Sequence, residues 1–193
     1  MPQHPIEPDP VQPKEENSPQ PSPVHALWSL LREMFETLAP AFVVAVLINI
    51  YLAQSTFVYG QSMEPNLHTD QRLIVEKVSY RFHGPRRGDI VVVNVPGFDI
   101  PLIKRVIGLP GETVEIRDNR VWIDGVSLQE PYLPDMSQHN CGPFKIPVGH
   151  VFVMGDNRNA SNDSRYFGAV QMDRIVGRAW ISYWPADEIH LFP

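Results

Sequence analysis

A single cysteine, Cys141, occurs in 193 residues. An internal disulfide is excluded, and so is a zinc site built from cysteines. A chain without disulfides suits either side of a membrane, so cysteine usage leaves the compartment open. No basic patch is present either. The acidic excess sits at the front, where Lys14 and Arg32 face Glu7, Asp9, Glu15, Glu16, Glu33 and Glu36, and the remainder is close to neutral. Nothing in that distribution calls for nucleic acid as a partner. HExxH, clustered ligands and a glycine-rich phosphate loop are all missing, so no metal and no cofactor is implied. Aliphatic side chains are almost absent from residues 1–24, which hold eight of the 20 prolines. Such a stretch cannot bury enough surface to offset its ordering entropy, and it reads as a disordered Pro-rich tail.

One long apolar run is present, over 40–58, interrupted mainly by Asn49 and Gln54. As a helix it would reach roughly 28 Å at ~1.5 Å per residue, about one bilayer core. Residues 39–58 are therefore expected to form a single transmembrane helix. A buried core helix and a cleaved leader are the alternatives. Ala53-Gln54-Ser55 has the small-x-small form of a cleavage site, but the segment ahead of it is long and acidic rather than short and basic. Between tail and span, in residues 25–38, Leu27, Leu30, Leu31, Met34 and Leu38 recur at helical spacing with Arg32, Glu33 and Glu36 opposite. That is the pattern of an amphipathic helix able to lie on a membrane surface, with Pro40 marking the expected break. Charge does not orient the span, because large domains cross a membrane largely regardless of it.

Beyond residue 58 no long helical period and no internal repeat occurs, and the texture becomes β. Leu73-Ile74-Val75, Asp89-Ile90-Val91-Val92-Val93, 102–109, 150–154 and 177–184 are strand-like. Thr113-Val114-Glu115-Ile116 and Val121-Trp122-Ile123 flank Asp118-Asn119 as a hairpin would. Residues 129–149 read as an extended, proline-bearing connection. Residues 59–193 are expected to form one compact, mostly antiparallel β domain.

Two side chains stand out chemically. Ser62 follows the apolar run in a turn shaped by Gly60 and Pro65. A serine hydroxyl is a poor nucleophile and needs a base within hydrogen-bond reach. The histidines, among them His68, His83, His139, His150 and His190, sit in no recognisable triad context. Lys104 lies in Leu102-Ile103-Lys104-Arg105-Val106-Ile107. Alternation puts Lys104 on one face of a strand and Arg105 on the other, each among aliphatics. If either face is buried, a cation leaves water, and lysine can give up its proton where arginine cannot. Lowering its pKa from ~10.4 to about 8 costs on the order of 3 kcal/mol, which packing must offset. A snorkelling surface lysine is the plain alternative. Residues 155–168 add a loop dense in hydrogen-bonding groups, Gly155-Asp156-Asn157-Arg158-Asn159-Ala160-Ser161-Asn162-Asp163-Ser164-Arg165, where two glycosylation sequons occur cheaply.

Four stretches together resemble the type I signal peptidases, the membrane-anchored Ser–Lys endopeptidase family. They are Gln61-Ser62-Met63-Glu64-Pro65, Arg87-Gly88-Asp89-Ile90-Val91-Val92, Lys104-Arg105-Val106-Ile107-Gly108-Leu109-Pro110-Gly111, and the 155–168 loop, in the family's order. The likeness spans roughly residues 40–184. It implies a signal-peptidase-type β domain on one N-terminal anchor, with Ser62 as nucleophile and Lys104 as general base. It further implies that Ser161 holds the lysine ammonium by a hydrogen bond and that Asp163 and Arg165 form a supporting pair. Asp156 and Arg158 match further motif positions of structural role. One position departs: some members place an oxyanion-binding serine two residues before the nucleophile, and here that residue is Gly60. The Ser62 main-chain N–H would then carry more of the task.

By the same resemblance the substrates are exported preproteins with signal peptides, met at the bilayer and near the export translocon. The expected topology is single-pass in the cell membrane, N-terminus cytoplasmic and β domain extracytoplasmic, with a thylakoid or organelle inner membrane as alternatives. Small residues preferred before the cut imply shallow apolar pockets, for which Met63, Val75, Val91 and Ile103 are the candidates. Phe98, Ile100 and Leu102 are expected either to dip into the membrane surface or to form a buried strand edge. Rival readings are another Ser–Lys protease and a catalytically dead, tethered β domain that binds exported proteins.

Overall fold

The computed structural model describes residues 23–133 and 140–192. Except for its last two residues, the tail expected over 1–24 lies outside the described residues, as does the 134–139 part of the proline-bearing connection. The chain divides into two compact units, Met1–Val43 and Val44–Pro193.

Helix α1 runs Pro23–Tyr51 and passes through Pro40 without ending. The expected break between an amphipathic helix at 25–38 and a span at 39–58 does not occur there. Proline removes one helical hydrogen bond, at a cost of about 3 kcal/mol, but the good helix formers on both sides carry the helix past it. The break comes later. Ala53–Phe57 is strand β1, paired antiparallel with β2 (Arg72–Glu76) from Ala53↔Glu76 to Phe57↔Arg72. Ser55, Thr56 and Phe57 suit a half-exposed strand, and β2 satisfies their backbone groups. The apolar run is thus shared between a helix and a sheet edge. Among the described residues no helix is long and apolar enough to cross a membrane. The apolar side chains of α1 are nonetheless exposed, Trp28, Phe35 and Phe42 among them.

The second unit is mostly antiparallel β. The remaining strands are β3 (Ile90–Val93), β4 (Leu102–Gly108), β5 (Thr113–Arg117), β6 (Arg120–Ile123), β7 (Val126–Ser127), β8 (Cys141–Lys145), β9 (His150–Met154), β10 (Val170–Gln171), β11 (Ile175–Trp184) and β12 (His190–Leu191), with a short helix α2 (Ser164–Phe167). The larger sheet is ordered β1-β2-β11-β3-β4-β9-β10, with β12 also on β11; the smaller is β7-β6-β5-β8. The hairpin between β5 and β6 turns on Asp118 and Asn119, at φ 50° and 60°. Two successive positive φ values match the right-handed twist of the strands they join.

Burial explains the sequence texture. Every residue of β3 is buried, as a strand covered on both faces should be. Val91, Val93, Val106, Val151 and Val153 form one cluster, against which Phe98 and Leu102 pack, and the Phe98 ring meets Phe167 edge-on at 6.0 Å. Of the greasy stretch before β4, Ile100 is the exposed member. Phe98 and Leu102, partly buried, pack at the margin of the core. A second cluster gathers Ile107, Val114, Ile116, Val121, Ile146, Phe152 and Met154 between the sheets. The third holds Val58, Met63, Leu67, Leu73, Ile90 and Ala179, beneath the turn that carries Ser62.

Candidate active site

The turn after β1 is fixed from below. Gly60 takes φ +74°, a conformation open to glycine at little cost. Main-chain bonds from Glu64 to Gln61 and from Asn66 and Leu67 to Met63 wind the chain tightly. Met63 and Leu67 plug into the third cluster, each 1% exposed. Ser62, between the plugs and Gly60, is left half-exposed.

Lys104 comes to it from the middle of β4, where it lies opposite Val91 of β3. Of the two neighbouring cations, Lys104 is the one on the buried face, 3% exposed. Its Nζ donates to Ser62 Oγ at 2.8 Å and to the Ile103 carbonyl at 2.9 Å. Burial lowers the lysine pKa to about 8, against the pull of the Asp163 and Asp156 carboxylates, which raise it. Near pH 8 about half the population is then a neutral amine within hydrogen-bond reach of a hydroxyl, the state a general base requires. Ser62 and Lys104, distant in sequence, are brought together as expected.

The 155–168 loop packs against both. Asn157 N–H donates to the Ser62 carbonyl at 3.0 Å. Asp163 is fully buried, pairs with Arg165 through both carboxylate oxygens at 2.8 and 2.9 Å, and accepts from Gly155 N–H at 3.0 Å. Replacing Asp163 with asparagine removes the charge that balances buried Arg165 and should cost about 3 kcal/mol in a denaturant titration. The same change removes an anion that raises the Lys104 pKa. The rising limb of activity against pH should therefore move to lower pH.

Asp156 is held by Arg105, whose Nε and second guanidinium nitrogen lie 2.8 and 2.6 Å from its two oxygens. The second strand cation is thereby neutralised across the opposite face. Arg158 reaches the Gly155 carbonyl at 3.1 Å and pairs with Glu130. Glu130, Tyr132 and Asn66 are members of this network that the sequence reading missed.

Two expectations need correction. Ser161 does not bond the lysine: its Oγ is buried and makes no hydrogen bond, while Lys104 is satisfied by Ser62 and the Ile103 carbonyl. Ser161 lies instead against Gly155, as does the Ser62 carbonyl. Met63, Val75 and Val91 have no more than 1% of their surface exposed, being needed in the core. Ile103, half-buried against the third cluster, is the one member of that set with accessible surface. An open cavity of ≈ 360 Å³ lies by the loop, lined by Ala160, Ser161, Asn162 and Tyr166.

The chain is similar to known proteins over most of its length. The family described as "Signal peptidase, peptidase S26" matches residues 31–184. A probable signal peptidase I-1 of Synechocystis is 43% identical over 179 residues, covering 89% of each chain. A signal peptidase I of Leptolyngbya laminosa is 41% identical, covering 83% of each. A chloroplastic thylakoidal processing peptidase 1 of Arabidopsis thaliana is 32% identical over 86% of this chain and 52% of its own.

Proposed function

The chain belongs to the signal peptidases of family S26 and removes signal peptides from preproteins; from that premise we propose that Ser62 is its nucleophile and Lys104 its general base. The observation that carries the assignment is the 2.8 Å separation of Nζ and Oγ, with the lysine shielded from water. Neutral Lys104 takes the Ser62 proton as Oγ attacks the scissile carbonyl. The ammonium returns that proton to the leaving amine, and an acyl-enzyme ester remains. Water then attacks the ester, with Lys104 again the base. With Gly60 offering no hydroxyl, the Ser62 main-chain N–H takes the oxyanion. The Asp163–Arg165 and Asp156–Arg105 pairs hold the loop and the strand around the dyad.

The preprotein enters as an extended segment along a strand edge, which supplies main-chain pairing. The exposed apolar side chains of α1 support attachment to a lipid bilayer. The β domain works on the extracytoplasmic side, where cleavage sites emerge beside the export machinery. A thylakoid membrane is the second setting, favoured by the likeness to a thylakoidal processing peptidase. Cleavage of a signal-peptide substrate by wild type, Ser62→Ala and Lys104→Ala tests the dyad. Both variants should fold, by circular dichroism, and lose turnover. Retained turnover in either would refute it.

A further inference from the structure

Asn66 stands four residues after Ser62 in the same turn, and nothing in the dyad chemistry accounts for it. Its amide nitrogen donates to Asp156 Oδ2 and to the Tyr132 carbonyl, both at 2.9 Å. Asp156 is 3% exposed, and its carboxylate receives Arg105 as well. Arg105 follows Lys104 directly in β4 and donates also to the Gly88 carbonyl at 2.9 Å. The Tyr132 ring lies under the Arg105 guanidinium, 4.0 Å from its centroid, and the Tyr132 hydroxyl donates to Glu130 at 2.8 Å. Glu130 in turn pairs with Arg158, whose Nε bonds the Gly155 carbonyl.

One buried carboxylate therefore grips both halves of the dyad. Through Arg105 it holds the strand that carries the base; through Asn66 it holds the turn that carries the nucleophile. The next residue, Asn157, holds the Ser62 carbonyl. A turn plugged into the core by Met63 and Leu67 can still rock about those plugs. Contacts at Ser62 and at Asn66 on the same short stretch of loop oppose that motion from both ends. We propose that Asn66 is a positioning residue, which sets the Ser62-to-Lys104 distance by tying the nucleophile turn to Asp156 and to the Tyr132 carbonyl. The amide suits the place because it offers two hydrogens to two acceptors. A carboxylate of the same shape offers none and faces Asp156 with like charge.

The inference rests on the Ser62–Lys104 dyad, and the arms of its test keep the two apart. Wild type, Ser62→Ala, Asn66→Ala and Asn66→Asp are assayed on one signal-peptide substrate, with kcat expressed per folded enzyme from a thermal melt. Ser62→Ala should be inactive; activity there would overturn the dyad and this inference with it. Asn66→Ala should lose about 10- to 100-fold in kcat with KM within about twofold, the signature of misplaced reacting groups rather than lost substrate contacts. Asn66→Asp fills the same space and should lose at least as much. Wild-type kcat per folded molecule in either Asn66 variant, with any loss of activity following the fraction unfolded, would overturn the inference and leave the dyad standing. So would a loss confined to KM.

Discussion

Lys104→Met should reduce turnover about a thousandfold, within the range a positioned base contributes, while making the folded protein more stable at neutral pH. The two effects have one cause. Burial lowers the Lys104 pKa from 10.5 to about 8, and such a shift corresponds to roughly 3 kcal/mol of destabilisation. Methionine fills similar space without a charge to strip of water. Loss of the bonds to Ser62 and the Ile103 carbonyl offsets about 1 kcal/mol of the gain. The sign of the pH dependence follows from proton counting. Below about pH 8 the lysine is protonated in both states, and the penalty is felt in full. Between about 8 and 10.5 the unfolded chain holds a proton that the folded one has released, so the wild type gains stability as pH rises. The advantage of the methionine variant should be largest at pH 7 and shrink through that window, and above it the wild type should be ahead by about 1 kcal/mol, the lost hydrogen bonds. Urea titrations at pH 7 and pH 10 measure it. An advantage independent of pH would mean that Lys104 keeps its ordinary pKa.

Gly155→Ala should be nearly as damaging, with no titratable group involved. A Cβ built at Gly155 falls under 3.0 Å from the Ser62 carbonyl and from Ser161 Oγ, closer than real Cβ atoms come. Ser161 Oγ can rotate away, but Ser161 Cβ, also under 3.0 Å, moves only with its backbone, and the Ser62 carbonyl is backbone bonded to Asn157 N–H. Relief must come from backbone shifts on both sides, at Ser161 within the loop and at Ser62 in the nucleophile turn. A displacement near 1 Å at a reacting centre costs about 100-fold, so kcat should fall by at least that factor. Met63 and Leu67 remain plugged in the core, and the cooperative melt should be little changed. Wild-type kcat in a folded Gly155→Ala protein would show that the turn and the loop are not in register as described.

The strands with strong apolar texture were legible: Ile90–Val93, Leu102–Gly108, the Thr113–Arg117 and Arg120–Ile123 hairpin, and His150–Met154. Each is buried on one face or both, and that burial is what wrote the pattern. Ala53–Phe57 was read as helix because it follows an apolar run, yet pairing with Arg72–Glu76 decides its conformation. Cys141–Lys145 contains Gly142 and Pro143 and is a strand because Thr113–Arg117 supplies its partner. In the site, Lys104 betrayed itself as a cation among aliphatics, and Ser62 by its place in a glycine- and proline-shaped turn. Asn66, Glu130 and Tyr132 carried no such mark. Their role comes from side-chain and carbonyl contacts between segments far apart in the chain, which no local window contains. The bond from Ser161 to Lys104 was implied by the family resemblance alone, and the Ser161 hydroxyl instead makes no hydrogen bond.

A dyad that works this way requires the Lys104 ammonium to be a stronger acid in the folded enzyme than an ordinary lysine. An NMR titration of the Lys104 side chain, following the carbon next to Nζ in wild-type protein, measures that acidity without reference to turnover. The Lys104 midpoint should fall near 8. A Lys104 midpoint at 10.5, the ordinary value for the group, would contradict the assignment.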